Sequence, residues 1–407
     1  MTTEHPGSAT PPCPLSGDAG QPPAADMSSA PTRLRVSSPS ALLAAVPLLL
    51  RFRPAMSVVI IGSTPPGNEV GITVRYDLPD PAAAARLVQH ALLLLAGNGV
   101  GAAAAVGYGP DDLVAPVAAA LLAADTDVTV TEFLRAENGR YWSYVCTDPD
   151  CCPPEGTAYS EADPAAAVAA AACSGVRVLG SREELAATIA RNPDAAATMR
   201  RATRRAERLL ADLTRQARAA DPLTAGRVIA QSGLEAAREA ITRYRDGGGP
   251  LTRSAAATLT VMLGNLRVRD DAWARMDPGH RVAHLRLWTD VTRLAQPGYA
   301  AAPATLLAFT AWQDGDGALA NVALDRALAD NPRYSMALLL REALDGGAPP
   351  SMAVLPMTPE AVAAAYDALD APGQDAGGSC GSGSDADQCG QTAEQGEQGA
   401  EPAPAMA

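Results

Sequence analysis

The chain reads as an α/β domain, a mixed sheet with flanking helices, followed by an all-α helical-bundle domain. Three observations predict this. Between Ser57 and Cys146, short apolar or alternating runs take turns with alanine-rich helical stretches. From Pro193 onward no convincing strand is visible, and every apolar pattern has helical spacing. The 407-residue length is more than one hydrophobic core usually organises. The expected organisation is a disordered 1–32, an α/β domain over 33–190, a helical domain over 191–369 and a disordered acidic tail over 370–407.

Taken in order, Ser38-Pro39 opens the first apolar stretch, and Ala41–Leu50 is too short to span a bilayer. Ser57–Gly62 is a continuous apolar run, as in a buried strand. Val70, Ile72, Val74 and Tyr76 alternate along a second strand, and a Pro-Gly-Asn turn between the two predicts an antiparallel hairpin. Pro81–Ala96 reads as a helix stopped by Gly97-Asn98-Gly99. Ala102–Tyr108 is a third strand, and Asp111–Ala124 a helix kinked or delayed by Pro116. Asp127–Arg135 and Arg140–Cys146 form a hairpin around Asn138-Gly139, a pair suited to positive φ. Pro164–Ser174 is a helix, and Ser181-Arg-Glu-Glu184 is a capping box for another.

Helices then follow over Thr252–Val268, Pro278–Ala295, Pro303–Gln313, Gly317–Asp330 and Pro332–Leu344, with a hinge-like break at Gly247–Pro250. A capping residue before proline marks many starts: Ser38, Asp80, Asp163, Asn192, Asp221, Asp277, Asn331 and Thr358. The last three helices resemble a tetratricopeptide-like pair plus a following helix, although such repeats normally come in threes or more.

Composition excludes several chemistries. All 32 basic residues are arginine; without lysine there is no Walker-type phosphate lysine, Schiff-base lysine or Ser-x-x-Lys nucleophile. The net charge of −13 makes nucleic acid a poor partner. Ten of the 45 acids lie in 1–32 and 370–407, which carry no arginine, so the folded part is nearly balanced. Arg191–Arg245 is locally basic and reads as a solvated helix face. No secretory signal and no membrane span is apparent, and seven cysteines do not make a disulfide framework. A cytoplasmic protein is expected.

Motifs are few. Gly99-Val-Gly101-Ala-Ala-Ala104 follows a helix and enters a strand, the reverse of a dinucleotide fingerprint. His280 and His284 share a helix face but lack the metalloprotease glutamate. The outstanding feature is Tyr141-Trp-Ser-Tyr144-Val-Cys146-Thr-Asp148-Pro-Asp-Cys151-Cys152-Pro-Pro-Glu155-Gly156, a proline-stiffened loop directly after a strand. Three readings stay open. Cys146, Cys151 and Cys152 form a zinc site, with Cys173 or a histidine completing it. Alternatively they are a redox-sensitive thiol group. Or they pack as small residues while the prolines shape the turn. Trp142, Tyr144 and Glu155 belong to the same loop.

This block, together with Ser38-Pro-Ser-Ala-Leu-Leu-Ala-Ala-Val-Pro47, Phe52-Arg-Pro54, Arg75-Tyr-Asp77-Leu-Pro79, Ser181-Arg182-Glu183 and the helices from Trp312 to Tyr334, resembles an actinobacterial family known as domain of unknown function number 4192. The family more often carries Gly where Arg51 stands before Phe52. The resemblance implies a bacterial cytoplasmic protein and supplies no catalytic residue, substrate or cofactor.

Two function classes follow. The first is a non-enzymatic binding or regulatory module with a protein partner on its helical domain, since no complete catalytic signature is present and no cofactor is expected. The second is a small-molecule enzyme with a strand-end cleft, in which Asp77, Tyr108 and Asp148 converge near the cysteines.

Overall fold

A computed structural model describes residues 38–65, 69–160, 177–222, 224–352 and 358–369. The two expected disordered ends, the Pro66-Gly67-Asn68 turn, the expected Pro164–Ser174 helix, and Cys13, Cys173, Cys380 and Cys389 lie outside the described residues.

The architecture is a mixed six-stranded sheet with helices, followed by a helix-rich part. Helix α1 (Pro39–Leu50) opens on Ser38, whose side chain accepts the N–H of Ala41. Strands β1 (Ser57–Thr64) and β2 (Glu69–Asp77) pair antiparallel from Ser57 opposite Asp77 to Thr64 opposite Glu69. A 3₁₀ turn at Pro81–Ala83 leads into α2 (Ala84–Gly97). Then come β3 (Ala102–Tyr108), α3 (Asp111–Leu122) and β4 (Thr129–Glu137). Strands β3 and β4 are parallel, joined by the α3 crossover. Strands β5 (Arg140–Ser143) and β6 (Thr157–Ala158) complete the order β2-β1-β3-β4-β5-β6. Asn138 and Gly139 turn β4 into β5 with φ of 51° and 73°.

Strand β5 stops at Ser143, three residues short of the expected Cys146. The Ser143 hydroxyl accepts the N–H groups of Val145 and Cys146, which removes both from the ladder.

The alternation along β1 divides the core. Val58 and Ile60 face one cluster with Val88, Ala91 and Leu95 of α2, Val114 and Val117 of α3, and Phe133. Val59 and Ile61 face the other way, toward Leu42 and Val46 of α1. That second cluster runs on without a break into the helical part.

The helical part comprises α4 (Arg182–Ile189), α5 (Ala196–Ala220), α6 (Ala225–Arg245), α7 (Arg253–Met262), α8 (Leu266–Ala274), α9 (Arg281–Leu294), α10 (Ala301–Gln313), α11 (Gly317–Asp330), α12 (Ser335–Asp345) and α13 (Pro359–Leu369). Helix α10 is buried from Ala301 to Trp312, and its two hydroxyl side chains there, Thr305 and Thr310, donate back to its own carbonyls. Helix α5 buries Met199, Thr203, Ala206 and Ala217 and turns its arginines to solvent, as expected for the basic stretch. The single expected helix Thr252–Val268 is two helices. The chain breaks at Gly264, and the Asn265 side chain caps α8 by accepting the N–H of Arg267.

Asp163 lies outside the described residues, Asp80 makes no side-chain cap and Asp221 accepts the Thr224 hydroxyl; the other residues before proline behave in two ways. Ser38, Asp277 and Thr358 accept an N–H in the first turn of the helical segment they open. Asn192 and Asn331 instead close a local turn with the residue two further on, so α5 and α12 begin at Ala196 and Ser335.

Candidate functional site

The cysteine loop is built from its backbone outward. Ser143 Oγ donates to Glu132 Oε1 at 2.7 Å and accepts the Cys146 N–H at 2.9 Å. The carbonyl of Asp148 accepts the N–H groups of Cys151 (3.2 Å) and Cys152 (2.7 Å), while its carboxylate accepts that of Asp150. Trp142 Nε1 donates to the Pro154 carbonyl at 3.0 Å, and Arg140 donates to the carbonyls of Glu155 and Gly156. The Arg135 guanidinium lies 3.8 Å from the Trp142 ring centroid. Gly156 has φ of +81°, and a Cβ there would come within 2.5 Å of Trp142, so the indole sits where only glycine leaves room. Tyr144 donates to Asp111 at 2.7 Å and stacks edge-on against Phe133.

This framework brings the three cysteines together. The sulfurs of Cys146, Cys151 and Cys152 all lie within 4.8 Å of one another. They are free thiols; Cys151 is exposed and the other two half-buried. None belongs to the buried core, which removes the support for a purely space-filling role. A hydrogen bond from the Asp148 backbone, then one from Cys152, draws the Cys146 thiol below the ordinary thiol range. Burial, followed by hydrogen bonds with Cys146 and Cys151, pushes the Cys152 thiol up.

The residues expected to line a strand-end cleft are spread across the sheet. Asp77, Ser57, Tyr108, Ala136 and Tyr141 lie in one row across the sheet. Asp77 and Tyr108 are therefore about 10 Å apart with β1 between them. Strand β5 runs antiparallel to β4 and carries the chain back from that row, with Ser143 opposite Leu134. Strand β5, which leads into the cysteine loop, lies four strand spacings, about 19 Å, from β2 and Asp77. Asp77 is paired with Arg75 and exposed, Tyr108 is half-buried against the second core cluster, and Asp148 shapes the cysteine turn. The Glu155 side chain is exposed. His280 bonds Asp277 at 2.8 Å, while His284 is buried with its Nε2 3.9 Å from the same residue.

A second site was not legible in the sequence. A cleft of about 760 Å³ runs along β2, between Val70 and Tyr76, and is walled opposite by α11 and the end of α12. Arg75, Arg182 and Arg341 line it. Asp325 bridges two of them, at 2.5 Å to Arg182 and 2.6 Å to Arg341. Tyr76 packs edge-on against His90; burial and then the charge of Asp345 push its hydroxyl up to about 12. The cleft residues come from six separate stretches of chain, and no local spacing signals their meeting.

Fold and site together define a class: a mixed-sheet α/β protein with a cysteine-bearing loop and a helical part packed on one face of its sheet. The chain belongs to the family described as Domain of unknown function (DUF4192), whose model matches residues 39–351. No curated protein and no solved structure matches it. No described helix is long and apolar enough to cross a membrane.

Proposed function

We propose that the protein is a non-enzymatic binding module that takes up an extended peptide segment of a partner protein by adding it as a strand beside β2. The observation that carries this reading is the position of β2. It is a nine-residue strand at the end of the sheet order, and the cleft runs along it. Unpaired strand edges are normally blunted or covered, because they template pairing with another chain. Here the edge lies in a groove, the arrangement that strand addition uses. From Val70 to Tyr76 the groove offers about 20 Å, room for a peptide of about six residues.

The opposite wall is α11 and the end of α12, two of the three helices whose sequence resembles a tetratricopeptide-like pair plus a following helix, so the helical part contributes to the groove rather than forming one alone. The guanidinium groups of Arg75, Arg182 and Arg341, held at the cleft by Asp77 and Asp325, offer further N–H donors to a segment that carries carboxylates. A bacterial cytoplasmic setting, where thiols stay reduced, suits the three free cysteines.

The experiment is selection of displayed peptides on the full chain, followed by hydrogen exchange of the complex. Acidic extended peptides are expected to emerge and to slow exchange of alternate amides between Val70 and Tyr76. The variant Thr73→Trp, which fills the cleft, should abolish binding. Peptides that bind without protecting β2, or that bind the Thr73→Trp variant equally well, would sink the proposal.

A further inference from the structure

We infer that the Cys146–Cys152 loop is a three-thiolate binding site for a zinc-class metal ion, with its fourth coordination position left to an exogenous ligand. The convergence of the three sulfurs carries this, independently of the cleft. Tetrahedral zinc with Zn–S bonds of about 2.3 Å places its sulfurs about 3.8 Å apart. Sulfurs already within 4.8 Å of one another therefore need to close by no more than about 1 Å. A disulfide needs an S–S distance of about 2.05 Å, a larger closure, and it would leave the third thiol unused. Soft thiolate donors select zinc and related thiophilic ions over calcium or magnesium.

Most of the loop's framework is organised by groups other than the sulfurs, which bond the Asp148 backbone and one another. Its hydrogen bonds run through Ser143 Oγ, the Asp148 carbonyl, the Pro154 carbonyl and the Gly156 carbonyl. All three side chains stay available as ligands, and the turn at Asp148 fixes the directions of Cys151 and Cys152. Among the described residues, no fourth His, Cys, Asp or Glu joins the group. That is the ligand count of an open site, in which three protein ligands leave one position to solvent or a small molecule. The partial exposure of the thiols gives the ion and that ligand access.

The test uses the full chain, reduced and freed of metal. Zinc is added in equilibrium dialysis, and accessible thiols are mapped by alkylation and mass spectrometry with and without it. One equivalent is expected to bind, and zinc should protect Cys146, Cys151 and Cys152 together. Cobalt in place of zinc should give the intense sulfur-to-metal absorption of a three-thiolate centre. Cys146→Ser, Cys151→Ser and Cys152→Ser should each weaken zinc binding by more than the roughly 10–100-fold that loss of an outer-shell contact causes. The quadruple variant Cys13→Ser, Cys173→Ser, Cys380→Ser, Cys389→Ser should bind as the parent does, and weakened zinc binding in it would overturn the open fourth position.

Alkylation rates at the three cysteines that zinc leaves unchanged would overturn the inference, and this readout does not depend on any variant folding. So would a stoichiometric ion that survives Cys151→Ser and Cys152→Ser.

Discussion

Single residues in this protein show how burial overrides ordinary chemistry. His284 is 1 % exposed, and burial pulls its imidazole down from 6.5 to about 4, against the opposing charge of Asp277. The native state therefore holds it neutral, while the unfolded chain protonates it near 6.5. Its contribution to stability is complete above pH 6.5 and is lost as pH falls toward 4, by roughly 3 kcal/mol at most. Denaturant titrations across this window should show a shallower acid slope for His284→Leu than for the parent; equal slopes would refute it. Arg51 shows a different compromise. It adopts φ of 60°, a conformation that glycine takes freely. Its guanidinium lies 3.0 Å from Asp316, a buried carboxylate that caps α11, so an ion pair offsets the backbone strain.

At the scale of elements, the β5–β6 loop holds its shape through one close approach. Gly156 lies under the Trp142 indole, which Arg135 covers from the other side. Substitution Gly156→Ala puts a methyl group 2.5 Å from the ring at a positive φ, so the ring or the backbone must shift. A loss of about 2 kcal/mol is expected, read as a shifted urea midpoint. Alkylation of Cys151 should also accelerate as the turn loosens. An unchanged midpoint would show that the loop repacks freely. Elements such as β3, α11 and the Asn138-Gly139 turn were legible in sequence because their causes are local: alternation, a cap, a glycine at positive φ. The break at Gly264-Asn265 was missed because apolar spacing continues through it, and only the cap on Arg267 marks it. The early end of β5 was missed for a similar reason, since Ser143 competes for two N–H groups that the pattern assigns to a ladder.

At the scale of the molecule, the sheet and the helices share a core. One buried cluster contains Val59, Ile61 and Leu134 of the sheet, Leu42 and Val46 of α1, and Leu306 and Leu324 of α10 and α11. Separating the two parts would expose that whole surface, at about 25 cal/mol for each Å² of apolar area. The chain should therefore unfold in one transition. Native-state hydrogen exchange should give the same opening free energy for β3 and α10 amides. Markedly different values, or a stable isolated 33–190 fragment, would establish two independent folding units instead.

The sequence by itself determined most of the elements, the split into a sheet-bearing and a helical part, the absence of lysine chemistry and the loop that carries the cysteines. Each rests on near neighbours in the chain, where periodicity, capping and turn chemistry act. Only the tertiary structure decided which of those residues meet. It drew Cys146, Cys151 and Cys152 together by closing the loop on Asp148. It separated them from Asp77 and Tyr108, because β5 runs antiparallel to β4 and lies four strands from β2. It also formed the cleft along β2, by packing a helix pair from the far end of the chain against that side of the sheet. Strand order and helix docking follow from long-range burial summed over the whole core, and no local spacing encodes such a sum.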